Sequence, residues 1–460
     1  MTGLASIRRR FHLLLALRFV PTGLSVTVFV LLMRDRGLSL AEIGVGTAAQ
    51  GIVMLFLELP SGGLADALGR KPVLLLAGGV WLVASALVLA AGNVALLAVA
   101  FSLQGVFRAL DSGPLQAWFV DEAFLDDPGV EVERELARSD VVICAAIGVG
   151  AIAGSVIVRS DGWFGLDPLV APLVLGMVIQ VVGLVAVGAL MHERRPSTGL
   201  RAMRASVAAV PVVVRDSVRL IRASRLLTAL VVAELLWGFG MVAFEVFFPA
   251  RLAEVGGGAD DAAELVGVSV AAAWVLSALG AAVAPMLVRR VGAGWAACSL
   301  RLAHGGSVAA MGIAAGPVGL VVAYLANYSA HGATAPVHYG MVHRAVDSGV
   351  RATVVSANSL ASQFGGAVSG IALGVLADRT SISTAMIVAA VVLAAAAPLY
   401  LVGRGALEPG AAVTEVVDPT AASGVGDQLV GVSATEPRPA ASASTSSTRT
   451  SDDGVSGRRQ

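Results

Sequence analysis

Ser61-Gly62-Gly63-Leu64-Ala65-Asp66-Ala67-Leu68-Gly69-Arg70-Lys71-Pro72 is a short polar interruption between two long apolar runs. Its glycines permit close backbone approach and a sharp turn, and it carries a single acid, Asp66, and the basic pair Arg70 and Lys71, after which no charge follows until Arg108. The surrounding composition says what kind of turn this is. Of 460 residues, 56% are hydrophobic and only 14% charged, with a mean hydropathy of +0.81, far more apolar than a soluble globular chain. A helix needs about 20 apolar residues to cross roughly 30 Å of hydrocarbon. Runs of that kind fall at about 11–33, 40–64, 73–91, 95–120, 139–158, 168–191, 226–249, 263–288, 295–315, 318–342, 353–377 and 383–403. They are long and continuous rather than short and alternating, so they read as helices and not as barrel strands. The expected fold is an all-α membrane protein with twelve transmembrane helices in two pseudo-symmetric six-helix bundles.

Arg and Lys set the orientation. With the N-terminus in the cytoplasm, Arg8, Arg9, Arg10, Arg70, Lys71, Arg134, Arg138, the Arg-rich 192–225 segment, Arg289, Arg290, Arg344, Arg351 and Arg404 lie inside, leaving Arg34, Arg36, Arg159, Arg251 and Arg379 outside. Such a bias follows the positive-inside rule. It predicts a multi-pass protein of the cytoplasmic (inner) membrane with both termini cytoplasmic. Residues 1–10 lack the character of a cleavable signal, and the first apolar run is long enough to span. The formal net charge of zero carries no information about partners, and Cys144 and Cys298 both fall inside predicted helices as small hydrophobes, with no disulfide expected.

The expected organisation is an N-terminal six-helix half (1–191), a cytoplasmic Arg-rich linker (192–225), a C-terminal six-helix half (226–405) and a disordered cytoplasmic tail (406–460). The linker alternates apolar and basic residues around Arg215, Arg219 and Arg222, a pattern that suits an anionic membrane surface or simply enforces topology. The tail is rich in Ala, Ser, Thr, Gly and Pro, and has too little apolar surface to order itself. A weak internal repeat supports the division. Gly113-Pro114 through Ala123 parallels Ala335-Pro336 through Ala345, Glu42-Ile43 maps onto Glu264-Leu265, and the opening stretch maps onto Pro285 through Gly292, with Arg289 in place of Asp66.

Gly62, Asp66, Gly69, Arg70 and Lys71 fill every position of a pattern that resembles the signature loop between the second and third helices of the major facilitator superfamily. The resemblance covers residues 8 to about 404 and implies a secondary transporter with alternating access of its two halves. It further implies that Asp66 docks on the positive start of the eleventh helix near Ala352 and Thr353, and that Arg70 pairs with Asp121, together closing a cytoplasmic gate. Gln104 through Gly113 looks like a diverged form of the family's fourth-helix motif, whose Arg, here Arg108, is linked to proton coupling; Asp111 and Ser112 stand where Gln and Gly are usual. Gly148 through Ser155 has the glycines of the family's antiporter segment without its Gly-Pro ending, a partial mark of export.

Ionisable groups at bilayer depth are costly and face a cavity or a partner. The coupling or substrate candidates are Arg18, Arg108, Asp111, Glu234, Glu245, His331, Asn358 and Gln363, with Glu58, Arg301, His304 and His338 also at membrane depth. Arg108 and Asp111, three apart, share a helix face and are the sharpest pair. Arg108 is expected to tune a nearby carboxylate, with Asp111, Glu234 or Glu245 as the protonatable group. The seventh segment surrounds its two acids with Trp237, Phe239, Phe244, Phe247 and Phe248, walls that suit an amphipathic or cationic organic molecule. His331 and His338 lie two turns apart on one face, a proton-sensitive arrangement with too few ligands for a metal.

No Walker-type phosphate loop is present, because Gly69 is followed by Arg70 and the stretch follows a membrane helix instead of a strand. Energy must therefore come from a gradient. No catalytic nucleophile motif or metal cluster points to an enzyme, and no cofactor is expected. The leading reading is proton-coupled efflux of small organic or drug-like molecules. The alternatives are uptake of a small metabolite on the same fold, and a non-transporting sensor or scaffold that uses the tail. The expected partners are a small-molecule substrate, protons and the lipid bilayer, with no nucleic acid, in a monomer.

Overall fold

Each long helix stops where the chain supplies a terminator, and the terminators recur at matching places in the two halves. In the computed structural model α1 (Leu4–Asp35) ends before Gly37, whose φ of 83° suits glycine alone. Ser39 then opens α2 (Leu40–Leu68) with a capping box: its Oγ accepts from Glu42 N at 3.2 Å, while Glu42 Oε2 accepts from Ser39 N at 2.8 Å. Gly69 alone, at φ 94°, joins α2 to α3 (Arg70–Ala90). The remaining N-terminal helices are α4 (Val94–Asp111), α5 (Pro114–Asp126), α6 (Val132–Arg159) and α7 (Ala171–Leu190). The C-terminal helices are α8 (Arg225–Glu245), α9 (Phe247–Gly256), α10 (Ala259–Val291), α11 (Ala293–Ile313), α12 (Pro317–Arg344), α13 (Ser348–Arg379) and α14 (Ile382–Ala395), followed by a 3₁₀ turn, Ala397–Leu401. Gly292, at φ 78°, joins α10 to α11 just as Gly69 joins α2 to α3. The degenerate second copy of the signature loop has kept its turn and lost its acid.

The structure describes residues 3–160, 165–193, 215, 218–346 and 348–402. The tail and most of the 192–225 linker, Arg404 included, lie outside the described residues, as do the side chains of Glu58, Gly62, Asp66, Arg134 and Ala352. The expected docking of Asp66 near Ala352 falls there too.

Twelve spans follow when α4 with α5, α8 with α9, and α14 with its 3₁₀ turn each count as one. Among the described residues, ten spans are long and apolar enough to cross a membrane. The other two, α11 and α12, have the length but carry Arg301, His304, Asn327, His331 and His338. The fourth span is not continuous, contrary to the 95–120 reading: Gly113 at φ 101° breaks it, and Pro114 restarts it as α5. The seventh span runs on to Gly256 through a break at Val246.

In the N-terminal half α1 packs on α6 and α7, α4 on α2 and α3, and α3 on α7. In the C-terminal half α8 packs on α13 and α14, α12 on α10 and α11, and α11 on α14. These are the same neighbours in the same order, the pseudo-symmetry that the internal repeat predicts. Lipid offers helices no hydrophobic reason to associate, so small residues that permit close packing set the contacts. Gly23 meets the backbone of Ile147 and Ala151, Gly332 that of Ser277, and Gly238 that of Ser362. A Cβ on Gly332 would overlap the Ser277 carbonyl oxygen. Gly332→Val is therefore expected to destabilise the C-terminal half by about 1–3 kcal/mol, read as a lower thermal midpoint of the detergent-solubilised protein by size-exclusion chromatography.

The halves meet along α2 with α13 and α6 with α10. Their polar contacts lie away from the face that carries the N-terminus. Ser155 Oγ donates to Ala263 O at 2.9 Å, Arg159 pairs with Glu264 at 2.8 Å, and Asp378 accepts from the Leu40 and Ala41 amides at 3.0 and 2.8 Å. Deepest is Gln363 Nε2 to Met54 Sδ at 3.0 Å. The face opposite the N-terminus is thus closed.

Candidate functional site

Two opposite charges on different halves act on each other. Arg108, near the end of α4, and Glu245, the last residue of α8, are both solvent-exposed. They nonetheless interact electrostatically with each other across the two halves, so they border a shared interior space and not lipid. Neither makes an ion pair with the other. On the C-terminal side Glu245 also acts on the buried Tyr324 and Tyr328. Phe244, Phe247 and Phe248 beside it are fully buried, with Phe248 stacked on Tyr324 at 3.7 Å.

On the N-terminal side Asp111 turns away from this space. It is buried and paired with Arg18 of α1, not with Arg108, which corrects the expected pairing of Arg108 with Asp111. Residues three apart are offset by about 60° around a helix, enough here to bury Asp111 against Arg18 of α1 while Arg108 stays exposed. Beside the pair is a cavity of about 30 Å³ lined by Arg18, Asp111, Gln180, Leu74, Phe107 and Leu184 among others, roomy enough for water. The Arg108 charge acts on Glu245 in the other half and on Arg18, the partner of Asp111, in its own.

The C-terminal half holds a second polar centre. Tyr400 Oη accepts from Arg301 Nε at 3.3 Å and Nη2 at 3.1 Å, and lies 2.9 Å from His338 Nδ1. Glu234 Oε2 sits 3.4 Å from Arg301 Nη2 and 3.5 Å from His338 Nε2. Asn358 Nδ2 donates to Val354 O at 3.0 Å, which turns its Oδ1 toward His338 Nε2 at 3.2 Å. That arrangement assigns the proton of a neutral His338 to Nε2, leaving Nδ1 to accept from the Tyr400 hydroxyl. Arg301, His338 and Asn358 are essentially inaccessible, and Glu234 is 6% exposed. A buried Arg–Glu pair needs such further hydrogen bonds to offset its desolvation.

Between the two centres lies a ring cluster. His331 stacks on Trp237 with centroids 5.7 Å apart, and touches Tyr328, Phe244 and His304. His331 and His338, predicted to act on one face, belong to different groups: His331 to the aromatic cluster and His338 to the Arg301 network. Both nitrogens of His304, Nδ1 of His331, Nη1 of Arg301 and Nδ2 of Asn327 are buried with no hydrogen-bond partner among the described residues. Unsatisfied groups of this kind concentrate at functional sites. Tyr400, the hub of the network, was not anticipated from the sequence, where its only signal is one hydroxyl in an apolar segment. Among the described residues no three His, Cys, Asp or Glu side chains converge as metal ligands, and both cysteines are free.

At the N-terminal face Arg70 Nη1 pairs with Asp121 Oδ2. Glu193, just past α7, caps the start of α3 by accepting from the Arg70 and Lys71 amides, and Lys71 Nζ donates to Gly188 O at 2.6 Å. A carboxylate on these free N–H groups also meets the positive end of the helix. Gln363 contacts Met54, as above.

A family model described as Major Facilitator Superfamily matches residues 11–368. Over 169 residues the chain is 31% identical to the methylenomycin A resistance protein of Bacillus subtilis (strain 168), an alignment spanning 35% of each protein, about a third of that relative's length. The fold is similar to that of the nucleoside transporter NupG (TM-score 0.70, 13% identity, covering 86% of this chain and 98% of that one). It is similar also to a bacterial homolog of the human lysosomal transporter Spinster in an inward-facing and occupied conformation (TM-score 0.67, 14% identity, 91% and 99%). With its repeated helix order, its interior charges and a family match over most of its length, the chain belongs to the major facilitator superfamily.

Proposed function

We propose that this chain exports small organic molecules across the cytoplasmic membrane in exchange for protons, with the N-terminal face toward the cytoplasm. The observation that carries this reading is that Arg108 and Glu245, exposed and in different halves, act on each other electrostatically without forming an ion pair. A ligand with an apolar body and a charged or dipolar end can engage Glu245, Arg108 or both, while Trp237, Phe239 and Tyr328 supply ring faces. A proton and a cationic ligand compete for the same Glu245 carboxylate, which is the physical basis of exchange. Glu234, with Arg301 and His338, is a second protonation point that links charge to the packing of α8, α11, α12 and α13. Gly62, Asp66, Gly69, Arg70, Lys71 and Asp121 gate the cytoplasmic side, and Arg18 with Asp111 steadies the N-terminal half.

The Arg and Lys distribution supports the orientation, and the partial likeness to a resistance protein supports export. The test is proteoliposomes with an imposed pH gradient and a panel of amphipathic cations, zwitterions and anions, with an internal pH dye. A substrate is expected to move protons in the opposite direction to itself. If no compound exchanges with protons under either polarity, the reading fails.

A further inference from the structure

The end of α13, Gly374-Val375-Leu376-Ala377-Asp378, repeats the end of α2, Gly62-Gly63-Leu64-Ala65-Asp66, with a single change at the second position. The two helices pack against each other across the halves and run in opposite directions. The pentapeptide of α13 therefore lies beside the start of α2, at the face opposite the N-terminus. At the closed face the contact is made: Asp378 Oδ1 accepts from Leu40 N at 3.0 Å and Oδ2 from Ala41 N at 2.8 Å. These amides belong to the first turn of α2, where N–H groups have no partner within the helix and the helix dipole is positive. The glycine of the repeat makes the approach possible, since a Cβ on Gly374 would lie 2.7 Å from the Ala41 Cα. One turn deeper Gly44 and Gly370 meet backbone to backbone.

We propose that Asp378 is the latch of the gate opposite the N-terminus and the antiparallel counterpart of Asp66. The proposal rests on alternating access. When α2 and α13 rock about their crossing, closing one end opens the other, so the Asp378 contact holds one state and Asp66 on the start of α13 holds the other. Glu42 is engaged in its own capping box with Ser39, and Arg379 and Asp378 are both exposed. Asp378 is a positioning residue: it sets the balance between states without touching cargo.

The test uses the full chain in lipid nanodiscs with spin labels on Gly92→Cys and Gly316→Cys, one in each half at the closed face. A Cβ at either position meets nothing within 4 Å, and Cys144→Ser and Cys298→Ser remove the native thiols. The wild type is expected to give mainly the shorter distance. Asp378→Asn, which loses the charge and one acceptor, is expected to raise the ratio of the longer to the shorter distance about five- to tenfold, and Asp378→Glu to restore most of the wild-type ratio. Gly374→Val, a steric wedge at the same contact, is the control for the readout and shifts it the same way. If Asp378→Asn matches the wild type while Gly374→Val shifts, the latch is overturned; no shift in either variant overturns it equally. Because the labels need no substrate, a shift in a chain that exchanges no compound with protons keeps the latch and removes the export reading instead.

Discussion

On the proposed exchange reading, Glu245→Gln is expected to reduce substrate-driven proton movement in proteoliposomes about a hundredfold, because the group at which proton and ligand compete is gone. Its neighbours dictate this. The carboxylate that feels the Arg108 charge is lost, and the competition between proton and ligand disappears because an amide binds neither by charge. The two effects separate experimentally. Gradient-free exchange of a labelled substrate should survive better than gradient-driven transport, and Glu245→Asp should recover part of both. In the wild type the apparent affinity for a cationic substrate falls as the loading side is acidified, since protons occupy the carboxylate; in Glu245→Gln that dependence flattens. A retained pH dependence in the variant would move the coupling role to Glu234.

Arg301→Met destabilises the C-terminal half by about 3–5 kcal/mol, the usual consequence of leaving one member of a buried ion pair without its partner. Glu234 then has no countercharge at 3.4 Å, and Tyr400 loses two donors. Glu234→Leu alone should be costly for the same reason. The double variant should recover much of the loss, because an apolar pair of similar volume removes both desolvation penalties at once. Thermal unfolding of the four proteins in detergent measures the coupling. Strictly additive losses would mean that Arg301 and Glu234 act independently, against the network geometry.

Most of the scaffold was legible in the chain because lipid imposes one arithmetic on every span: internal backbone hydrogen bonding and enough apolar length to cross. The repeat of Pro114 and Pro336, and of the two inter-helix turns, likewise announced the pseudo-symmetry later visible in the helix neighbours. The site was legible only as a set of residue types. Spacing put Arg108 and Asp111 on one face, yet Arg18 of α1 takes Asp111 into the bundle and leaves Arg108 exposed. Tyr400, on an apolar final segment, gave no warning that it would join Arg301 to His338, and Glu193, read as part of a linker, caps the signature loop. Such partners are far apart in sequence, and periodicity carries no record of which face meets which.

The stretch from Gly62 to Lys71, with the apolar runs around it, determined by itself that this is a two-bundle membrane transporter fold, because turn chemistry and hydrophobic length are local properties of a chain. Only the tertiary structure decided that the Arg108 charge acts on Glu245, that Asp111 belongs to Arg18, and that Asp378 caps the start of α2 at the face opposite the N-terminus. Those are choices among charges that the sequence presents as equals, and they are made by which helices the glycine contacts bring together.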